Sequence, residues 1–145
     1  MQREILFRGK RIDNEEWVDG DLYQEKFPFE NKIKEVMIVE YRPDLRLVSG
    51  AADNNHYWRE VIPESIGQLS PKTDKSGIRI FENDLLLVDG HRVTKVVFNE
   101  DCGSWDTMCI SDSNIRMNFK ALEFRQWPAR CDVIGNLTDN PELLK

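Results

Sequence analysis

The dipeptide Asp89-Gly90 stands between "LLLV" and "HRVTKVVF", and it restricts the fold more than any other feature of the chain. Asp and Gly both tolerate the positive φ that a two-residue reversal demands, and apolar, β-branched runs flank them on either side. The pattern predicts a β-hairpin from about Leu85 to Phe98, and with it an antiparallel sheet. A chain containing such a unit buries one face of a ribbon and needs further strands to cover it.

Those strands are spelled out on both sides. "REILFRGKRIDNEEWVDGDLYQEKF" reads as two apolar-aromatic runs, around Ile5 to Arg8 and Trp17 to Tyr23, reversed at Asp13, Asn14 and Glu15. A charged segment over 24–34 leads into "KEVMIVEYRP", a strand ended by Pro43. "HYWREVIP" carries Tyr57, Trp58, Val61 and Ile62 as one more strand, and Pro63 to Ile66 fits a single helical turn stopped at Gly67. In "DKSG" (74–77), Asp at the first position and Gly at the fourth suit a type I turn. "IRIF" and "DLLLV" follow as strands, then "GSWDTMCI". "IRMNFKALEFRQW" fits strand alternation at Ile115, Met117 and Phe119 and a helical stripe at Met117, Ala121, Leu122 and Phe124, so 117–127 stays open between the two. The chain closes on a strand in "CDVIGN", a turn at Gly135 and Asn136, and a short helical tail behind Asn140 and Pro141.

The expected architecture is therefore β-rich α+β with one or two helical turns. It comprises an N-terminal antiparallel meander over 1–66, a turn-rich connection over 67–77, and a second small β subdomain over 78–145. A length of 145 residues suffices for a buried core without covalent staples. The excess of 26 acidic over 20 basic residues, a net charge of −6, opposes long-range attraction to DNA or anionic membranes. Three cysteines, Cys102, Cys109 and Cys131, are too few and too scattered for a disulfide framework. "MQREILFRGKRID" places charges where an export signal needs an unbroken apolar core, and the apolar runs fall far short of the roughly 20 residues that span a bilayer. The expected compartment is the cytoplasm, with no membrane partner.

Site chemistry is sparse. Gly67 and Gly77 lie ten apart with no G-K-[ST] after them, so "GQLSPKTDKSG" is a chain reversal and not a phosphate cradle. The cysteines with His56 and His91 contain no C-x-x-C and no paired histidines, so neither metal nor cofactor is expected. His56 beside Tyr57 and Glu60 is the nearest approach to a polar constellation, and its plainer reading is a strand-end histidine next to an aromatic. Glu82 and Asp84 alternate as paired carboxylates would, although Asp84 is better suited to capping the turn that begins the strand. Arg3, Arg8, Lys10 and Arg11, near Phe7 and Trp17, combine phosphate-binding charge with stacking surface. Their plainer reading is that the basic stems cover a hairpin while Phe7 and Trp17 enter the core.

Four segments, in order, resemble the YopX family of small phage and prophage proteins. "ILFRGKRIDNEEWVDGDL" is similar to the family's F-R-G-K opening with its Trp and Gly. "VIPESIGQ" resembles V-x-P-x-T-[VI]-G-Q, "DKSGIRIFENDLL" resembles D-x-x-G-x-x-I-[YF]-E-G-D, and "VIGNLTDNPELL" matches the family's ending. Asn83 replaces the usual Gly, a change that preserves tolerance of positive φ. Pro71 in "LSPKTD" departs from the common Y-T-G-L-x-D. The resemblance implies a phage or prophage protein of the bacterial cytoplasm, with an SH3-like small β-barrel over 78–145, and it implies no reaction. It also implies structural roles in turns and caps for Gly9, Gly20, Gly67, Gly77, Asp84, Gly135 and Asn136.

The function expected from these observations is that of a non-enzymatic accessory protein. It would act by protein–protein interaction with an unidentified phage or host protein and by homo-oligomerisation. The alternative is a nucleic-acid-binding module of phage replication or regulation, using Arg3, Arg8, Lys10 and Arg11.

Overall fold

A computed structural model describes residues 3–26, 33–41, 56–110 and 127–144. Among these residues ten strands form: β1 (Phe7–Lys10), β2 (Trp17–Lys26), β3 (Ile33–Tyr41), β4 (His56–Glu60), β5 (Gly67–Thr73), β6 (Arg79–Phe81), β7 (Asp84–Val88), β8 (Arg92–Asn99), β9 (Ser104–Cys109) and β10 (Cys131–Asn136). A four-residue helix α1 (Trp127–Arg130) and 3₁₀ turns at Pro63–Ser65 and Pro141–Leu144 complete them. Strand neighbours run β4-β3-β2-β1-β5-β6 in one sheet and β10-β7-β8-β9 in the other, and every pairing is antiparallel. The chain divides into two compact units, one of Ile5–Gln68 and one of Met1–Glu4 with Leu69–Lys145.

In the Ile5–Gln68 unit, strand alternation sends Phe7, Val18 and Leu22 to one face, where they meet Val36, Ile38, Val61 and Ile66. Gly20 is needed in β2 because a Cβ there would overlap the carbonyl oxygen of Val39, and a Cβ on Gly9 would lie 2.9 Å from the Val61 side chain. The hairpin β1–β2 turns where expected. Arg11 N–H donates to Glu16 C=O at 2.8 Å, and Glu15 takes a positive φ of 60°. The residues after β4 return to β1: Ile12 N–H donates to Glu60 C=O, Ile62 N–H to Lys10 C=O, and Arg11 bridges Val61.

In the second unit, the Asp89-Gly90 reversal joins β7 to β8. Its two residues have φ of 53° and 75°, and His91 N–H donates to Val88 C=O at 3.2 Å, as a tight hairpin turn requires. Ile80, Leu86, Val88, Val96 and Cys131 are wholly buried together, with Trp105 and Val133 packed against them. Each such aliphatic side chain contributes about 1.5–3 kcal/mol of hydrophobic stabilisation. Asp74 holds the outer edge of β10: its Oδ2 accepts Val133 N–H at 3.0 Å, and Lys75 N–H donates to Cys131 C=O at 3.0 Å. A strand edge that would otherwise present bare backbone groups is thereby paired.

Several expectations need correction. The SH3-like barrel over 78–145 does not close among the described residues, where β10, β7, β8 and β9 form a four-stranded sheet with distinct edges. Residues 67–73, expected within a turn-rich connection, form β5, because Gly67 and Gln68 pair with β1 while Leu69 and Thr73 pair with β6. Only Asp74–Gly77 make a turn, with Gly77 at φ 82° and Gly77 N–H donating to Asp74 C=O. Gly9, Gly20 and Gly67 are accordingly strand residues and not turn residues. The helix-or-strand alternative at 117–127 falls on residues outside those described, up to Trp127, which begins α1.

Candidate functional site

The residues that sequence reading offered for chemistry are dispersed. Glu82 and Asn83 form the turn between β6 and β7, with Asn83 at φ 69°, so Glu82 and Asp84 do not alternate along one strand face. Asp84 is 1% exposed and its Oδ2 accepts Phe81 N–H at 2.8 Å. It is the cap of that turn. Glu82 is half-buried, and burial together with the neighbouring charge of Glu100 raises its carboxyl above the ordinary value, against the pull of Lys95. His91 is exposed, with its Nδ1 2.9 Å from Asp89 C=O. His56 starts β4 opposite Tyr41, and the side chains of His56 and Tyr57 lie outside those described. No cluster of His, Cys, Asp and Glu that could hold a metal occurs among the described residues. Burial pushes the Cys131 thiol up to about 11, with Arg130 opposing it.

The turn and cap residues at the end of the chain cooperate. Asn136 Oδ1 accepts N–H bonds from Thr138 and Asp139, and Asn140 Oδ1 accepts Asn136 N–H at 3.2 Å. A Cβ on Gly135 would collide with that same Asn140 oxygen.

The basic candidates divide between the two units. Arg8, Lys10 and Arg11 belong to the first and Arg3 to the second. The Arg8 guanidinium lies 4.8 Å from the centre of the Trp17 ring, a cation–π contact, and Asp19 stands directly across the strand pair. Arg11 is held by Asp13 through two hydrogen bonds, Nε to Oδ1 at 2.8 Å and Nη2 to Oδ2. Arg3 lines a cleft of about 430 Å³ with Glu4, Ser70, Lys72 and Arg79, where Glu4 and Arg79 pair at 3.3 Å. Trp17, expected in the core, alternates with Val18 onto the opposite face, which is why Arg8 reaches it.

That opposite face of the Ile5–Gln68 sheet carries the most unusual surface. In register across β2, β3 and β4, one row reads Asp21, Val39, Trp58, and the next has Tyr23 on β2 and Glu60 on β4. Tyr23 and Trp58 therefore occupy one diagonal of the array, and Asp21 and Glu60 occupy the other. Next-but-one strands lie about 10 Å apart, yet the two rings meet edge to face with centroids 5.0 Å apart. They lean toward each other across β3. Both stay open to solvent, Tyr23 at 41% and Trp58 at 55%. Beside Trp58, a cleft of about 200 Å³ is lined by Arg11, Ile12, Asp13, Arg59 and Glu60, and Ile12 is itself exposed. Sequence reading located Tyr23 and Trp58 on strands. It missed their meeting, because alternation fixes a face and says nothing of which residues stand opposite across two strand pairs.

The geometry defines a mostly β protein of two antiparallel sheets with an aromatic, acid-flanked sheet face and no assembled catalytic constellation among the described residues. The chain belongs to the YopX protein family, whose profile matches residues 6–145. A crystal structure of protein EF1440 from Enterococcus faecalis shares its fold, with a TM-score of 0.52 at 20% identity over 98% of this chain and 99% of that one. No curated protein matches the sequence.

Proposed function

We propose that this chain is a non-enzymatic accessory protein of a phage or prophage that acts in the bacterial cytoplasm by binding another protein. The observation that carries the reading is the Tyr23–Trp58 pair, two large aromatic rings kept in contact yet left open on the outer face of a sheet. Aromatic side chains of this kind supply large contact area at low entropic cost and are enriched where proteins meet. Self-association belongs to the same proposal and is supported by Met108, an apolar residue left exposed on β9. The nucleic-acid alternative rests on Arg3, Arg8, Lys10 and Arg11. It is weakened by the engagement of Arg8 with Trp17 and of Arg11 with Asp13.

Light scattering on the purified protein, combined with anisotropy of labelled single- and double-stranded oligonucleotides at low salt, tests this reading. The expected result is a mass above the monomer's 17.0 kDa at tens of micromolar and no rise in anisotropy. A strictly monomeric mass removes self-association. Salt-sensitive oligonucleotide binding, lost on replacing Arg8 and Lys10, replaces the reading with the alternative.

A further inference from the structure

The diagonal array on the outer sheet face raises a question that protein binding alone does not answer, namely what kind of partner it fits. Asp21 and Glu60 are exposed, and neither carboxylate has a cationic partner among the described residues. Of the two cations that line the cleft, Arg11 is clamped by Asp13, and Arg59 has its Nε buried, its backbone position alternating with those of Trp58 and Glu60. Two uncompensated carboxylates thus flank two aromatic rings, and the rings attract cations through their electron-rich faces. Ile12, at 52% exposure, adds an apolar wall to the cleft that Trp58 and Glu60 share. An apolar stem with a cationic head matches such a wall and rim, and that is the form of an arginine or lysine side chain. The net charge of −6 favours a basic partner at long range and disfavours a second copy of this chain on an acidic face.

We infer that the Asp21, Tyr23, Trp58 and Glu60 array receives an arginine or lysine side chain from an extended basic segment of a partner protein. The inference rests on the protein-binding reading above and specifies its chemistry. The cationic head lies against the Trp58 ring and the Glu60 carboxylate, the stem lies along Ile12, and Asp21 attracts a second basic residue of the segment.

The test is a titration of the full chain with an acetylated, amidated Gly-Arg-Gly-Arg-Gly peptide, followed through the indole N–H resonance of Trp58. Trp58→Phe assigns that resonance. The expected result is a saturable shift that weakens with salt, is absent with the matching Glu peptide, and shows roughly tenfold lower affinity in the Asp21→Asn, Glu60→Gln double variant. Both substitutions are isosteric and exposed, so the variant's unchanged amide spectrum elsewhere serves as the folding control. Equal shifts with the Glu peptide, or unchanged affinity in the double variant, overturn the inference. A shift produced instead by oligothymidylate assigns the face to nucleic acid and overturns it as well. Protein adducts obtained by photo-cross-linking from position 12 while the Arg peptide fails to bind would remove the basic segment only. The absence of both would remove the protein-binding reading itself.

Discussion

Glu82 illustrates how one residue's surroundings set a pH dependence. Burial and the charge of Glu100 raise its carboxyl above the ordinary value in the folded chain. Between the ordinary and the raised value the folded state holds the extra proton, so stability falls as pH rises through that window. Glu82→Gln removes a buried charge that the fold disfavours. Urea denaturation is expected to give nearly equal midpoints for variant and wild type near pH 4, with the variant gaining at pH 7. A variant less stable than wild type at pH 7 would show that the carboxylate has a stabilising partner. Asp84 differs in having a partner, because its buried Oδ2 takes the Phe81 N–H. Asp84→Ala is expected to cost about 1–3 kcal/mol by leaving that donor unpaired, and Asp84→Asn less. A denaturation midpoint for Asp84→Ala at or above wild type would contradict the capping role. Both Asn83 and Asp84 were legible in the sequence, since turn chemistry is decided by residues adjacent in the chain. The burial of Glu82 near Glu100 and Lys95 was not, because those two residues come from β8 and the turn after it.

Among the elements, the turn at Asp74–Gly77 does more than reverse the chain. Burial alone would raise the Asp74 carboxyl, but N–H bonds from Val133, Ile78 and Ser76, with the charge of Lys75, outweigh it and bring the carboxyl below the ordinary value. A depressed carboxylate stabilises the fold above its unfolded value, and that contribution is lost as pH falls through the folded one. Asp74→Ala is expected to destabilise by about 3 kcal/mol and to speed hydrogen exchange at the Val133 amide more than at amides central to β7. Equal protection at Val133 in variant and wild type would contradict the role of Asp74 as the edge of β10. Sequence reading recognised "DKSG" as a turn from its Asp and Gly, but the bond to Val133 spans 59 residues and has no local signature. The same limit explains β5. Its Pro, Lys and Ser composition reads as loop, and it becomes a strand because β1 and β6 offer it hydrogen-bonding edges. The Asp89-Gly90 hairpin was legible, because its two positive-φ residues are adjacent in the chain, although His91 completes the loop between Val88 and Arg92.

At the scale of the whole molecule, the β-rich class and the family were written in local motifs, whereas the candidate surface emerged only from strand register. Glycine positions show the same division. Gly77 is required by a positive φ that a local pattern announces, while Gly20 is required by the approach of the Val39 carbonyl from a neighbouring strand. The outer face of the Ile5–Gln68 sheet, around Tyr23 and Trp58, is the surface proposed to meet the partner protein. The most direct measurement replaces Ile12, at the rim of that face, with photoreactive benzoylphenylalanine and compares it with the same replacement at Ile78, an exposed apolar residue of the other unit. After irradiation in bacterial cells expressing the family's genomic neighbours, position 12 is expected to give a discrete, nuclease-resistant protein adduct whose cross-linked peptide contains arginine or lysine. Position 78 is expected to give none. Equal labelling from both positions, or adducts from position 12 that disappear with nuclease, would remove this face as the protein-binding surface.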